Sequence, residues 1–314
     1  MKNYIENFPY IHFKVNLKSL NNGKLPEHKT SMLRGVIARK VKKNVCHDFE
    51  LNCEKCEYIN NCLYSAIFES PKTLIDSLNR GGTVPHPYII RCNERHQEYK
   101  KGDLLTFEII LFGKKAELFA TNLYHVFEQF HLFKLGKYKM QFAVDNVLQI
   151  LKDDKMEVFT SEFIKKPEAT NFTYAIPDYQ NLRIEFETPF RIQQNGNLIK
   201  EISMERFLWQ VHHRIFQLGI HTDTAIERSS FKAYTSKLQF PKHTYLMKRS
   251  KWEDILRYST NKKRYMKLGG VIGRIDLKRT EELDELLPAI MFAEKFHVGK
   301  ATTFGLGQFT LWFR

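Results

Sequence analysis

Two successive passes of strand, helix, strand, strand, helix and strand are legible in the 314-residue sequence. That order predicts an α+β chain of two tandem ferredoxin-like (RRM-like) domains. Three observations carry the prediction. Apolar residues alternate at the head of each half, through Ile11, Phe13, Val15 and Leu17 and again through Leu182, Ile184, Phe186 and Phe190, the period of a half-buried strand. A helical apolar face follows each, marked by Met32, Leu33, Val36, Ile37 and Val41 in the first half and by residues 203–218 in the second. The composition, 43% hydrophobic with 25 Phe, supplies enough apolar surface for two cores and excludes disordered and low-complexity classes.

In chain order, a strand over Tyr10–Leu17 leads into the turn-rich NNGKLPEHKT, and Thr30 or Ser31 is placed to cap the first helix. A cysteine-rich insertion spans about 44–66. The runs VPHPYIIRC and DLLTFEIILF read as strands, residues 114–133 as a long helix, and 139–151 as a strand. KDDK, KKPEA and AIPDYQ interrupt the patterning over 152–180, so the expected domains are 1–165 and 166–314. The second half opens with a strand running to an Asn195-Gly196 turn. The helix 203–218, strands over 239–247 and 270–277, a helix over 281–296 and a closing strand in GLGQFTLWF follow.

Charge is the compositional anomaly. Lys and Arg number 49 against 35 Asp and Glu, a formal net charge of +14, which favours a polyanionic partner such as nucleic acid or an anionic membrane surface. No apolar run reaches the ~20 residues of a spanning helix, and MKNYIENFPYIHFKVNL lacks the apolar stretch of a signal peptide. The expected location is cytoplasmic.

Residues 248–267 gather Lys248, Arg249, Lys251, Arg257, Lys262, Lys263 and Arg264 with Trp252, Tyr258 and Tyr265. Cations that neutralise phosphates, interleaved with rings that stack on bases, suit single-stranded RNA. The alternative is a solvated charged helix carrying a few core aromatics. Beyond it, HVGKATTFGLGQF places Gly299, Gly305 and Gly307 beside Lys300 and His297. Glycines there would let backbone N–H groups approach phosphate oxygens. Neither the Walker A spacing nor GxGxxG after a strand is present.

The order W-x4-RYS, LGG-x2-G-x-I, an acidic helix and HVGK-x-TTFGLG resembles the carboxyl-terminal half of the CRISPR-associated repeat-processing (pre-crRNA) endoribonucleases. These are the sixth-numbered Cas family, of the repeat-associated mysterious protein (RAMP) superfamily. The match is specific over about 250–312. It is looser at MLRGVIARKV and LYSAIFE near the front, and no motif stands out between 90 and 180. The resemblance implies two ferredoxin-like domains and a Gly-rich loop contacting RNA. It also implies metal-independent cleavage within the CRISPR repeat by attack of the 2′-hydroxyl, leaving 2′,3′-cyclic phosphate and 5′-hydroxyl ends. The partners it implies are precursor crRNA and other Cas proteins of an effector complex. A catalytically inactive RAMP-type subunit that holds repeat RNA is the alternative.

The family usually employs a histidine at a variable position, and this chain has 12. His28 lies just before the first helix, where many relatives keep their acid–base residue, close to Arg34, Arg39 and Lys40. His297 opens the Gly-rich loop, and His47 borders the cysteines. His212 and His213 lie on the helix 203–218 as packing or surface residues. Cys46, Cys53, Cys56 and Cys62 form C-x6-C-x2-C-x5-C, a soft-ligand set that suits a structural zinc. An iron–sulfur cluster and four unliganded thiols are the alternatives, and Cys92 reads as a core residue. Glu281, Glu282, Asp284 and Glu285 share one helix as a solvated face, which leaves a metal-dependent nuclease without clustered carboxylates.

Overall fold

The computed structural model describes residues 2–69, 84–129, 132–152, 154–194, 196–222, 226–237, 245–259 and 264–314, the side chains of 2–3, 245–248 and 259 excepted. The elements of the amino-terminal part are α1 (Lys2–Glu6), β1 (Pro9–Ser19), β2 (Gly23–Lys24), α2 (Thr30–Val45), a 3₁₀ turn at Cys53–Lys55, and α3 (Leu63–Phe68). They continue with β3 (Tyr88–Arg91), β4 (Glu98–Tyr99), β5 (Leu104–Phe112), α4 (Ala116–Gln129), β6 (Leu132–Leu135), β7 (Met140–Ile150), β8 (Lys155–Phe159) and β9 (Thr170–Asn171). The rest comprises β10 (Asn181–Phe190), β11 (Gln193–Gln194), β12 (Asn197–Leu198), α5 (Met204–Leu218), α6 (Arg228–Thr235), β13 (Tyr245–Ser259), β14 (Arg264–Lys278), α7 (Glu281–Phe296) and β15 (Phe309–Phe313). They form two compact units, Pro9–Thr170 and the residues up to Phe8 with Asn171–Arg314.

In the first unit β1 is central, pairing antiparallel with β5 and with β7. The order β3-β5-β1-β7 is that of a ferredoxin-like sheet, the first strand lying between the third and fourth. The alternating residues Ile11, Phe13, Val15 and Leu17 are fully buried, and α2 and α4 cover them with Leu33, Ile37, Val41, Phe119, Leu123 and Phe127. The long helix ends at Gln129 rather than at Phe133. Phe133 lies in β6 opposite Phe142, where Phe133 and Leu135 are buried with the period of a strand. So short an apolar run reads equally as helix or strand in sequence. The expected caps are also displaced: Thr30 is the first helical residue, and Lys29 occupies the cap position without a side-chain cap bond.

The second unit repeats the plan around β10, with the order β13-β14-β10-β15. Leu182, Ile184 and Phe186 are its buried face, and Phe207 of α5 meets Phe186 and Phe309 edge-on at 5.7 and 5.3 Å. Ser203 caps α5 by accepting from the Arg206 N–H, and Thr280 caps α7 by accepting from the Leu283 N–H. The buried Arg214 donates twice to the Phe296 carbonyl, at 3.2 and 3.1 Å, so a guanidinium closes the carboxyl end of α7.

The basic segment is a hairpin rather than a helix. β13 and β14 pair antiparallel from Tyr245↔Leu277 to Ser259↔Arg264. The strand expected over 239–247 therefore begins at Tyr245 and runs to Ser259; residues 239–244 lie outside the described residues. β-Branched and aromatic residues such as Trp252, Ile255, Tyr265, Val271 and Ile275 favour this pairing, and the charges between them are tolerated on a half-exposed ribbon.

The amino-terminal residues belong with the second unit because Phe8 is buried against Phe292 and Phe296, its ring 5.0 and 4.9 Å from theirs. Phe8→Ala is expected to destabilise that unit by about 3–4 kcal/mol. Hydrogen exchange should show the loss in α7, with β5 and β7 keeping their protection.

Candidate functional site

In the first unit the approach to α2 and the segment 94–96 are held together by a buried charge. The Lys29 side chain is 0% exposed. Its ammonium donates to the carbonyl oxygens of Glu27, Glu94 and His96 at 3.4, 3.0 and 2.6 Å, and the Tyr99 ring lies 5.7 Å away. Burial lowers its pKa from the ordinary lysine value, against the pull of Cys92, Glu94 and Glu27. Three acceptors for three N–H donors replace the lost water. His28, the neighbouring residue, is half-buried at this corner, and Arg95 hydrogen-bonds to its Nδ1. Arginine can only donate, so that imidazole nitrogen is the acceptor. Arg95 and His96 escaped sequence reasoning because nothing local links residues 28–29 to a segment 67 positions on.

The other histidine candidates are placed differently. His297 is 0% exposed; its Nδ1 donates to the Leu306 carbonyl at 3.2 Å. This corrects the expectation that it opens onto RNA: it fastens the two ends of the Gly-rich loop. His47 is exposed in the cysteine segment, 6.0 Å from the Tyr58 ring. The cations of α2 divide in two. Arg39 is exposed, whereas Arg34 donates to the Tyr88 hydroxyl at 2.9 Å and Lys40 to the Leu132 carbonyl at 2.9 Å. Burial, with Lys43 nearby, pushes Lys40 down to about 8. Arg34 and Lys40 are thus held by the fold's own acceptors rather than presented outward.

The four cysteines are free and half-buried. Cys46 closes α2, Cys62 caps α3, and one 3₁₀ turn opens at Cys53 and is closed by Cys56. Burial raises the Cys53 thiol, with Lys42 opposing. Among the described residues no three His, Cys, Asp or Glu side chains are gathered as metal ligands, so this arrangement assigns no metal to them.

In the second unit Arg249, Lys251, Tyr258 and Arg264 are exposed along the hairpin, and Arg257 is half-buried. Lys248 lacks a described side chain, and Lys262 and Lys263 lie outside the described residues. Tyr258 and Tyr265 are cross-strand partners whose rings meet at 5.3 Å and 70°. At 52% and 65% exposure they leave open faces. The Arg257 guanidinium lies over the Phe304 ring at 4.3 Å, which braces the hairpin against the Gly-rich loop.

That loop is bound to the end of β10. Gly307 N–H donates to the Pro189 carbonyl and Lys300 N–H to that of Arg191, while the Lys300 ammonium donates to Gln193 Oε1 at 2.6 Å. Gly299 and Gly307 have φ of 86° and 70°. A Cβ on them would lie 2.7 Å from the Arg191 oxygen and 1.8 Å from the Val298 oxygen. Gly305 and Gly307 are buried. The space these glycines leave is filled by the chain's own carbonyls, so backbone crossing explains them rather than an open phosphate cradle. Lys300 is the exposed member of the group.

One buried polar cluster also escaped the sequence. On the sheet face opposite α2, His12 Nε2 lies 2.9 Å from Glu108 Oε2, and Arg91 bonds the same oxygen. Burial pushes the Glu108 carboxyl up, but His12 and Arg91 outweigh it and hold it at about 2, below its ordinary 4.5. A depressed carboxyl adds stability that is complete above the ordinary value and is lost as pH falls towards 2. Glu108→Gln is expected to cost on the order of 2–3 kcal/mol at neutral pH. Denaturation at a series of pH values should show the gap to wild type closing between pH 4.5 and 2.

Two antiparallel βαββαβ units, the second with a basic aromatic hairpin and a Gly-rich loop before its last strand, define a RAMP-type protein of tandem ferredoxin-like domains. Residues 8–170 match the N-terminal domain profile AF_1859_N, just over half the chain, and residues 184–309 match that of the CRISPR-associated endoribonuclease Cas6. The chain belongs to the Cas6 family. No curated protein matches it in sequence. Among solved structures, a partial Cas6-RT-Cas1–Cas2 complex matches with a TM-score of 0.56 and 14% identity over 99% of this chain. The chain spans 47% of that protein, and 30% of the one in a second such complex. A Cas6 product complex (TM-score 0.55, 12% identity) and Thermus thermophilus Cas6 (0.52, 10%) each match over 97% of this chain and 99% of theirs. At such identities the likeness is one of fold.

Proposed function

We propose that this chain is an endoribonuclease that cuts CRISPR precursor RNA within the repeat without a catalytic metal, yielding mature crRNA. The observation that carries the reading is the contact between His28 and Arg95 at the solvent edge of the first unit. In-line attack by a 2′-hydroxyl needs a base at that oxygen, an acid at the leaving 5′-oxygen and positive charge for the phosphorane-like transition state. A ring nitrogen with an available lone pair beside a permanent cation supplies two of the three. On binding, Arg95 turns to the phosphate, and His28 accepts the 2′-OH proton as the O2′–P bond forms. The 5′-oxygen departs with a proton from an acid, leaving a 2′,3′-cyclic phosphate and a 5′-hydroxyl.

The hairpin of the second unit supports the RNA half of the reading. Its exposed cations suit a phosphate backbone, and the open faces of Tyr258 and Tyr265 suit unpaired bases. The solved relatives point to partners of two kinds: one carries a cleavage product, and the other assembles with Cas1 and Cas2. For this chain the corresponding partners are repeat RNA and other Cas proteins.

Incubation of repeat RNA with the protein in EDTA is expected to give one cut with cyclic-phosphate ends. His28→Ala should slow it at least ~10²-fold while leaving repeat affinity within about tenfold. RNA retained uncut by the wild-type protein would favour the alternative, an inactive RAMP-type RNA-binding subunit.

Neutralising Arg249, Lys251 and Arg264 should flatten the salt dependence of RNA binding. For a single strand the log–log slope falls by about 0.7 for each phosphate left without its cation. Glu281, Glu282 and Glu285 replaced by Gln should leave that slope unchanged in a binding titration.

A further inference from the structure

A second histidine stands at the corner occupied by His28. His96 is 68 residues further along the chain, yet its carbonyl oxygen is bound at 2.6 Å by the ammonium of Lys29, the residue after His28. Arg95, the residue before it, bonds the His28 ring. One buried ammonium and one guanidinium therefore tie the two histidine-bearing segments to each other.

The His96 side chain is 53% exposed, with its Nε2 3.9 Å from Glu94 Oε2. Its ring lies against that of Tyr99, the centroids 4.4 Å apart at 42°. Glu94 is itself anchored: Tyr99 donates its hydroxyl to Oε2 at 3.0 Å, and the Thr106 N–H donates to Oε1 at 2.8 Å. An exposed imidazole backed by a fixed carboxylate is the arrangement of an oriented acid–base group. The two rings also face opposite chemistry. Arg95 can only donate, so the His28 nitrogen it meets bears a lone pair. Glu94, its Oε2 3.9 Å from His96 Nε2 and beyond hydrogen-bond reach, instead places a negative charge beside that ring.

We propose that His96 is the general acid of the cleavage, with His28 the base and Glu94 the residue that positions the His96 ring. The inference rests on the endoribonuclease reading above. The His96 imidazolium gives its proton to the 5′-oxygen as the P–O5′ bond breaks. His28 holds the proton taken from the 2′-OH. The two rings then regain their starting protonation by exchange with water, so no further reactant is needed. The charged and titratable groups against His96 are Glu94 and Tyr99 at its ring and Lys29 at its carbonyl oxygen.

Single-turnover cleavage of repeat RNA is compared with that of the same RNA carrying a bridging 5′-sulfur at the cut, a leaving group that departs without a proton. His96→Ala, and His96→Asn as a second variant, should slow the oxygen substrate about 10²-fold, flatten the alkaline limb of its pH profile and leave affinity within tenfold. The sulfur substrate should restore most of the rate to both variants and to Glu94→Gln, and none to His28→Ala. His96 variants that match wild type on the oxygen substrate, or that are equally slow on both substrates, overturn the assignment. Wild-type protein that binds the repeat and cuts neither substrate overturns the endoribonuclease reading itself, and this inference with it.

Discussion

A strand hydrogen-bonded along both edges has no freedom left except in which face it buries. In each unit that constraint falls on the first strand. β1 lies between β5 and β7, and β10 between β14 and β15. Once Ile11 to Leu17 face the helices, the intervening His12, Lys14 and Asn16 must face the other way. The helices can then cover only one face, and the candidate residues lie on the connections that leave the strand ends. The corner at His28 lies on the route from β1 to α2. The Gly-rich loop lies on the route from α7 to β15, anchored to the end of β10.

Both corners are stabilised by interactions that look costly in isolation. Lys29 holds a charge out of water, and Gly299 and Gly307 hold backbone where no side chain fits. In each case the compensation is a set of main-chain carbonyls already in position. For Lys29 they are three oxygens from two segments; for the loop they belong to Pro189, Arg191 and Gly307. The geometry of each corner is thus set by main chain, which leaves His28, His96 and Lys300 able to vary in role without loss of the scaffold.

The strand and helix order was legible because it rests on periodicity. The alternation in β1 and β10 and the apolar faces of α2, α5 and α7 are local signals, and each element forms where they occur. The hairpin was misjudged in length because its charged residues share a ribbon in which, among the described residues beyond Ser250 and before Ile272, only Ile255 and the Gly269–Val271 stretch are buried. Thr30 and Ser31 looked like caps from type alone, and the sequence offers no sign that Lys29 would take that position with a buried ammonium. Of the candidate site, the exposed hairpin residues could be chosen from neighbours in sequence, and His28 from the family resemblance together with its basic neighbours. Arg95, His96 and Glu94 could not, because their relevance arises only when β3, β4 and β5 bring the segment around residue 94 against the start of α2. His297 misled for the complementary reason: a histidine beside glycines resembles a ligand-binding residue, while the loop's tight crossing turns its ring inward.

The pairing of β14 with β10 reaches only to Val271, whereas its pairing with β13 continues to Arg264. The seven residues from Arg264 to Gly270 are therefore a two-stranded arm of about 23 Å beyond the four-stranded sheet. Arg191, which donates to the Gly269 carbonyl at 2.6 Å, braces it at its root, and Arg257, opposite Met266 and beside Tyr258, rests on the Phe304 ring near its outer end. The arm is therefore propped at two points along its length rather than hinged at one, and the guanidinium beside the tyrosine pair limits how far the two rings can travel.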